Sequence, residues 1–308
     1  MSRARAVVFA YHDVGVRCLK ALLSGGVAVP LVVTVPDDPA ETRWFASVAD
    51  TAADYGLDVV AAADANAAEL TRRVTELQPD FLFSFYYRAM LGAPLLRAAR
   101  RGALNMHGSL LPKYRGRAPV NWAILHGERE SGATLHYMVE RADAGDIVDN
   151  QAVPILLDDD AREVFAKVTV AAETVLVRSL PGLIAGSAQR RPQPIVPGQY
   201  FGRRRPEDGR IDWSRTALEI HNLVRAVAPP FPGAFGNVGG ERWQIHGTRL
   251  TTEIVAPRGS WLFASADRCY LACGDGMALQ LLAAHDPHGP VDLAGLARRV
   301  AQQPLPLS

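Results

Sequence analysis

Asn105 and His107 stand two residues apart in the run Ala103-Leu-Asn-Met-His-Gly-Ser-Leu-Leu-Pro-Lys-Tyr-Arg-Gly-Arg-Ala-Pro-Val-Asn-Trp122. On a strand, such residues point to the same face, so an amide donor and an imidazole are presented together. In a core both would be costly unless hydrogen-bonded. At a site opening from the carboxyl end of a strand they can meet a substrate. Asp143, in the polar turn Val139-Glu-Arg-Ala-Asp143-Ala-Gly-Asp146, adds a carboxylate. An Asn/His/Asp set is compatible with oxyanion stabilisation or with acid–base chemistry. The same spacing also fits a strand end closed by a hydrogen-bonded histidine, and Asp143 also fits an ordinary turn residue. Asp146 competes for any acidic role. His136, in the strand before, reads either as a second site imidazole or as a satisfied core histidine.

Elements able to position these residues follow from the apolar patterning. Strands are expected at Ala6–Ala10, Pro30–Val35, Leu57–Ala61, Phe81–Phe85 and Ala103–His107, and helices at Val14–Ser24, Thr42–Tyr55 and Ala65–Leu77. This alternation predicts a Rossmann-like α/β fold, a mainly parallel sheet with helices on both faces. In such sheets ligands bind at the carboxyl ends of the strands. Beyond Val120 the rhythm changes to two strands, Ala133–Val139 and Asp146–Leu156, and a long helix, Arg162–Ile184. Gln189–Gly209 is rich in Pro, Arg and Gly and reads as a linker. A helix at Thr216–Val227 and short strands at Arg242–His246, Ser260–Ala264, Cys269–Ala272 and Ala278–Ala283 predict a small β-rich, barrel-like second domain. The expected organisation is a catalytic domain over 1–188, a linker over 189–209 and a C-terminal domain over 210–308.

Composition narrows the function classes. The chain has 308 residues, 48% of them hydrophobic, and a formal net charge of +1. That profile fits a soluble globular protein and gives no global electrostatic case for nucleic acid or an anionic membrane. The apolar start ends at Tyr11-His12-Asp13, too short for a signal peptide, and no run approaches the roughly 18 uninterrupted apolar residues that span a bilayer. A cytoplasmic location is the expectation. Cys18, Cys269 and Cys273 have no disulfide-framework spacing, and the last two read as core residues rather than metal ligands. Neither Gly-x-Gly-x-x-Gly, a Walker loop, a Gly-x-Ser-x-Gly elbow nor a zinc-spaced His/Glu pair is present, so no metal is expected. Oligomeric state is not legible.

His107-Gly-Ser-Leu-Leu-Pro-Lys-Tyr-Arg-Gly-Arg117 resembles the signature of enzymes that use 10-formyltetrahydrofolate, which include methionyl-tRNA and sugar-nucleotide formyltransferases. Phe9-Ala-Tyr-His-Asp13, Phe83-Ser-Phe-Tyr-Tyr-Arg88, Arg141-Ala-Asp-Ala-Gly145 and Phe201-Gly-Arg-Arg204 are similar to the formyltransferase domain found in bifunctional polymyxin-resistance enzymes of lipid A modification. The resemblance implies 10-formyltetrahydrofolate as formyl-donor co-substrate and a nucleotide-sugar acceptor, UDP-4-amino-4-deoxy-L-arabinose. It implies Asn105, His107 and Asp143 as catalytic residues. It implies folate contacts at Ala89, Met90, Leu91 and Arg117, and a pterin loop of Val139, Glu140, Arg141, Ala142 and Asp143. Ala89 and Met90 differ in identity from those relatives, which backbone contacts would tolerate. The bifunctional relatives continue into a decarboxylase domain, whereas this chain stops at Ser308. Any decarboxylation is therefore expected from a separate protein, unless the chain is a fragment.

In the implied chemistry a neutral amine attacks the formyl carbon. Asn105 and a protonated His107 then donate to the developing oxyanion. A carboxylate beside an imidazole favours its charged form, the role implied for Asp143. Two other readings compete. A methionyl-tRNA formyltransferase would need a basic C-terminal domain, but Arg210, Arg215, Arg225 and Arg242 are offset by Glu207, Asp208, Asp212, Glu219 and Glu241. A non-catalytic folate- or nucleotide-binding module would bind folate without transferring formyl groups.

Overall fold

The computed structural model describes residues 3–36, 38, 43–194 and 198–308. The chain divides into two compact units. The first comprises Met1–Pro119, Glu130–Val153 and Ala166–Gly202, and the second Val120–Arg129, Pro154–Phe165 and Arg203–Ser308.

The first unit begins with β1 (Arg5–Ala10), α1 (His12–Ser24), β2 (Ala28–Thr34), α2 (Val48–Asp54), β3 (Val59–Ala61), α3 (Ala68–Glu76), β4 (Phe81–Phe85), α4 (Ala93–Ala98) and β5 (Gly102–His107). After β5 comes the two-residue β6 (Arg115–Gly116), then, past α5 (Pro119–Leu125), which falls almost wholly in the second unit, β7 (Glu130–Tyr137), β8 (Ile147–Pro154), α6 (Ala161–Ala185), whose first turn falls in the second unit, and β9 (Tyr200–Phe201). The seven-stranded sheet has the order β3-β2-β1-β4-β5-β7-β8. It is parallel from β3 to β5, and β7 joins β5 antiparallel. The expected α/β architecture is therefore present. Its central strands are largely apolar because both faces are covered, with polar residues toward the carboxyl ends of β4 and β5. Phe9, Leu82 and Leu104, for example, are fully buried.

Several elements differ from the sequence expectation. Thr42, the expected start of the second helix, lies outside the described residues. That helix begins at Val48, where the Ser47 hydroxyl accepts from the Asp50 N–H, and an N-cap of this kind sets a helix start more firmly than propensity does. α4 and α5 were not expected. At six and seven residues they carry too little periodicity to be read. α6 is long and apolar enough to cross a bilayer by length and composition alone. Val168, Ala171, Ala172, Val175, Leu176 and Leu180 bury one of its faces, the pattern of a core helix.

The second unit holds the 3-10 turn Pro206–Gly209, α7 (Ala217–Ala226), β10 (Ala234–Val238), β11 (Glu241–Val255), β12 (Trp261–Ser265), β13 (Arg268–Ala272), β14 (Met277–Asp286), β15 (Gly289–Pro290), α8 (Leu293–Val300) and β16 (Leu305–Pro306). The antiparallel order is β10-β11-β14-β13-β12-β16. The carboxyl tail then returns to β10. Asn237 N–H donates to Ser308 O at 2.8 Å, Gly239 N–H donates to Pro306 O at 2.8 Å, and Val238 bridges Leu307. The sheet is thus nearly closed on itself, which removes its open edges. Trp213, Ile220, Trp243, Leu262, Leu271, Leu279 and Leu296 fill it, and Cys269 and Cys273 are buried among them. A Thr216/Glu219 capping box starts α7.

Candidate active site

The sheet register places one row across four strands that is polar on three of them. Phe9, Ser84, Asn105 and His136 are successive partners on β1, β4, β5 and β7. The adjoining row toward the amino ends, Val7, Leu82 and Ala103, belongs to the apolar core. The same face thus changes from oil to hydrogen-bonding groups over one two-residue step, and His107 lies one step further on.

Two loops close over this row. Between β5 and β6, Thr134 Oγ1 donates to Ser109 O at 2.6 Å and accepts from Leu111 N–H at 3.1 Å, while Ser109 Oγ donates to Lys113 O at 2.6 Å. Gly108 is obligatory there, because a Cβ would lie 1.8 Å from the Tyr86 hydroxyl. The loop between β7 and β8 carries Asp143, and its Gly145 lies so close to Tyr137 O that a Cβ would sit 1.9 Å away. Tyr137 pairs opposite Leu104, yet Asp143 reaches His107, so this loop doubles back over the sheet face. Five non-glycine residues with positive φ (His12, Tyr86, Tyr114, Ala118 and Asp143) follow β1, β4, β5 and β7. Such strain concentrates at functional sites.

Asn105, His107, His136 and Asp143 converge. Asn105 Nδ2 lies 3.1 Å from His136 Nε2 and 3.4 Å from Asp143 Oδ1. His107 Nε2 lies 2.8 Å from Tyr114 O, and His136 Nδ1 lies 2.8 Å from Tyr137 O. A carbonyl only accepts, so each ring donates there and turns its other nitrogen inward. Those inward nitrogens stand 3.6 Å and 3.5 Å from Asp143 Oδ1. Both distances suit ion pairing but exceed a good hydrogen bond. Asp143 Oδ2 accepts from the Gly116 N–H at 2.9 Å. Burial alone would raise the Asp143 carboxyl. The charge on His107, the hydrogen bond and charge of His136 and the Gly116 N–H outweigh it and hold the group well below the usual carboxylate range. Asn105 and Asp143 are part-buried, and His107 and His136 are buried.

The remaining predicted residues lie outside this cluster. Ala89, Met90, Arg117, Val139, Glu140 and Arg141 are exposed, Ala142 is half-buried, and Leu91 is buried in the core. Asn66 braces the segment before α4, donating to Met90 O at 2.9 Å and accepting from Gly92 N–H at 2.6 Å. Arg117 donates to Arg88 O at 3.4 Å, and the Arg88 guanidinium stacks over Tyr11 at 4.3 Å. Sequence reasoning missed Ser84, the Gly116 N–H and Gln193, which donates to Asp143 O and Gly145 O. Ser84 stands at the end of the strand Phe81–Phe85, level with Ala103–His107, a signal that was readable. A backbone donor and a partner fifty residues away leave no trace in spacing. No group of three or more His, Cys, Asp or Glu among the described residues is placed to hold a metal ion.

Solved structures share the architecture. An N-formyltransferase from Helicobacter canadensis, described in complex with folinic acid and dTDP-3-aminofucose, matches with a TM-score of 0.72 and 21% identity over 91% of this chain and 99% of its own. WlaRD, described as a sugar 3N-formyl transferase in the presence of dTDP and 5-N-formyl-THF, matches at 0.71 and 19% over 95% and 99%. A likely sugar N-formyltransferase from Mycobacterium tuberculosis matches at 0.59 and 18% over 76% and 91%. At the level of sequence families, residues 4–180 match the formyl transferase model and residues 204–291 match the formyl transferase C-terminal domain. The first match covers more than half of the chain and contains the whole Asn105/His107/His136/Asp143 cluster, and the chain belongs to the formyl transferase family.

Proposed function

We propose that the chain transfers a formyl group from 10-formyltetrahydrofolate to the amine of a nucleotide-linked aminosugar, with UDP-4-amino-4-deoxy-L-arabinose as the acceptor and lipid A modification as the setting. The observation that carries the reaction type is the convergence of an amide donor, two oriented imidazoles and one ionised carboxylate at 3.1–3.6 Å. The structural relatives described with folate derivatives and dTDP or a dTDP-aminosugar support the donor and the acceptor class. The base and the 4-amino position rest on the segments around Tyr11, Tyr86 and Gly202. Three free, buried thiols suit a reducing cytoplasm.

The folate supplies the electrophilic formyl carbon. The exposed residues Arg117 and Val139–Arg141 and the half-buried Ala142 and Asp143 suit its binding, since they border the cluster. Asn105 Nδ2 donates to the oxygen that becomes negative when the amine attacks. Loss of one such donor typically costs about a hundredfold to a thousandfold in rate. His107 Nε2–H is engaged by Tyr114 O, so Nδ1 carries the proton that passes to the departing folate nitrogen as its bond to the formyl carbon breaks, and the proton released by the attacking amine makes good that loss. Asp143 stabilises the Nδ1 proton across the 3.6 Å separation. His136 orients the Asn105 amide.

A panel assay tests the reading: 10-formyltetrahydrofolate with UDP-, dTDP- and GDP-linked 4-aminosugars, with 3-aminosugars alongside. Transfer to the UDP-linked 4-aminosugar is expected to be fastest. A faster dTDP- or 3-amino acceptor would replace the finer assignment, and transfer to none of them would sink the aminosugar reading.

A further inference from the structure

Composition marks Gln189–Gly209 as a linker, but its described residues are fastened along the site. Arg191 and Ile147 exchange both backbone hydrogen bonds at 2.8 Å, which extends the β7–β8 pair by one antiparallel partner. The Arg190 guanidinium lies 3.7 Å over the Tyr137 ring. Continued two residues, the same register sets Gln193 against Gly145. Its Nε2 donates to Asp143 O at 3.0 Å and to Gly145 O at 2.6 Å. Two carbonyl acceptors dictate that the amide nitrogen faces the loop. The buried Oε1 is left without a hydrogen-bond partner among the described residues. That arrangement is a cost to the fold, accepted for the two donated bonds. At the far end of the segment, β9 pairs in parallel with β6. Arg115 N–H donates to Gln199 O at 3.0 Å and Arg117 N–H to Phe201 O at 2.9 Å. This pairing holds Gly116, whose N–H binds the Asp143 carboxylate.

We propose that Gln193 is a positioning residue for Asp143, and that residues 190–193 and 199–201 set the carboxylate from both sides, the first through the loop backbone at Gln193 and the second through the Gly116 N–H that β9 holds. Asp143 needs such support because its φ is +50°, a conformation its own sequence does not favour. The role rests on the formyl-transfer reading of Asn105, His107 and Asp143. Groups facing the carboxylate are Asn105 and His107 from β5, His136 from β7 and the Gly116 N–H from β6.

The test compares full-length Gln193→Ala and Gln193→Glu with the wild type. The glutamate keeps length and volume but offers no N–H. Four quantities are read: the 13C NMR titration of the Asp143 carboxyl without ligand, binding of 5-formyltetrahydrofolate by calorimetry, formyl-transfer turnover, and Tm. In both variants the carboxyl is expected to titrate closer to the ordinary range, folate binding to weaken, and turnover to fall by about tenfold to a hundredfold. An unchanged Asp143 titration in both variants overturns the proposal, with or without a loss in Tm. A wild-type titration in Gln193→Glu alone also overturns it, because packing rather than donation would then matter. If the wild type binds no folate, the functional reading falls, while the ligand-free titration still decides the positioning role.

Discussion

Each unit contains a buried cluster built from histidine, asparagine and a charged group, and the two clusters end differently. On α7, both nitrogens of His221 are used, by Thr248 Oγ1 at 2.9 Å and Leu157 O at 3.0 Å. Arg225 donates to Asn222 Oδ1 at 3.0 and 2.8 Å, to Leu156 O at 3.3 Å and to Asp159 O at 3.0 Å. These side chains tie the segment before α6 to α7 within the second unit, and their capacity is largely spent on backbone carbonyls. In the first unit each imidazole spends one nitrogen on a carbonyl; His107 points its other nitrogen at Asp143, beyond a short hydrogen bond, while His136 Nε2 lies 3.1 Å from Asn105 Nδ2 and 3.5 Å from Asp143. Residue type alone does not separate scaffold from site. The separation lies in whether polar capacity is consumed internally or left facing a gap, and in whether the backbone there is strained.

The contrast predicts opposite failures. His107→Ala should abolish formyl transfer while leaving folate binding detectable by calorimetry, and Asn105→Ala should lower kcat by about a hundredfold to a thousandfold. A substantially active His107→Ala protein would break the contrast at its strongest point.

Asp143→Asn should lower kcat by about a hundredfold and also lower Tm at pH 7, because it removes the ionised carboxylate that its surroundings stabilise. Its carboxyl is depressed when folded, so the stability it contributes is complete above the ordinary carboxylate value of about 3.9 and is lost as the pH falls through the depressed value. Denaturant titrations should therefore show the wild type losing stability relative to the asparagine variant only below about pH 4.

Arg225→Ala should lower stability alone. Leaving Asn222 Oδ1 and two carbonyls unsatisfied should cost about 3 kcal/mol in urea unfolding, with kcat per folded molecule kept at low temperature. A kcat loss without destabilisation would place Arg225 in the active machinery.

A smaller effect is expected at His221. Burial pushes its imidazole below the ordinary value, as does the Arg225 charge, against the opposing hydrogen bond from Leu157 and the charge of Asp158. Stability is then full above about pH 6.5 and falls as the pH drops below it, because the unfolded chain takes up the proton first. Stability curves of wild type and His221→Gln should draw together between about pH 6.5 and pH 5.

The smallest expected signal is at Cys273. Burial and the Asp275 charge push its thiol up to about 12. Its labelling by a thiol reagent at pH 8 should stay near zero until the protein unfolds.

Much of the first unit was legible because parallel strands buried on both faces leave short apolar runs that helical patterns separate. Asn105, His107 and Asp143 were legible as residue types, and the motif from His107 to Arg117 carried the family resemblance. Elements of six to eight residues, α4, α5 and α8, fell below the length at which periodicity can be read. β11 runs fifteen residues, past the expected His246, because irregularities around Gly247 and beyond Leu250 break its alternation.

By itself the sequence determined the sheet, the apolar faces and the identity of the reacting groups, because these depend on periodicity and residue chemistry. Only the tertiary structure decided which nitrogen of His107 faces Asp143, that His136 shares that carboxylate, that the Gly116 N–H binds it, and that Gln193 binds the backbone of its loop. Those facts depend on strand register and on contacts between residues far apart in the chain. The same cause underlies the near-closure of the second unit: Ser308 reaches Asn237 across a distance that no local pattern encodes.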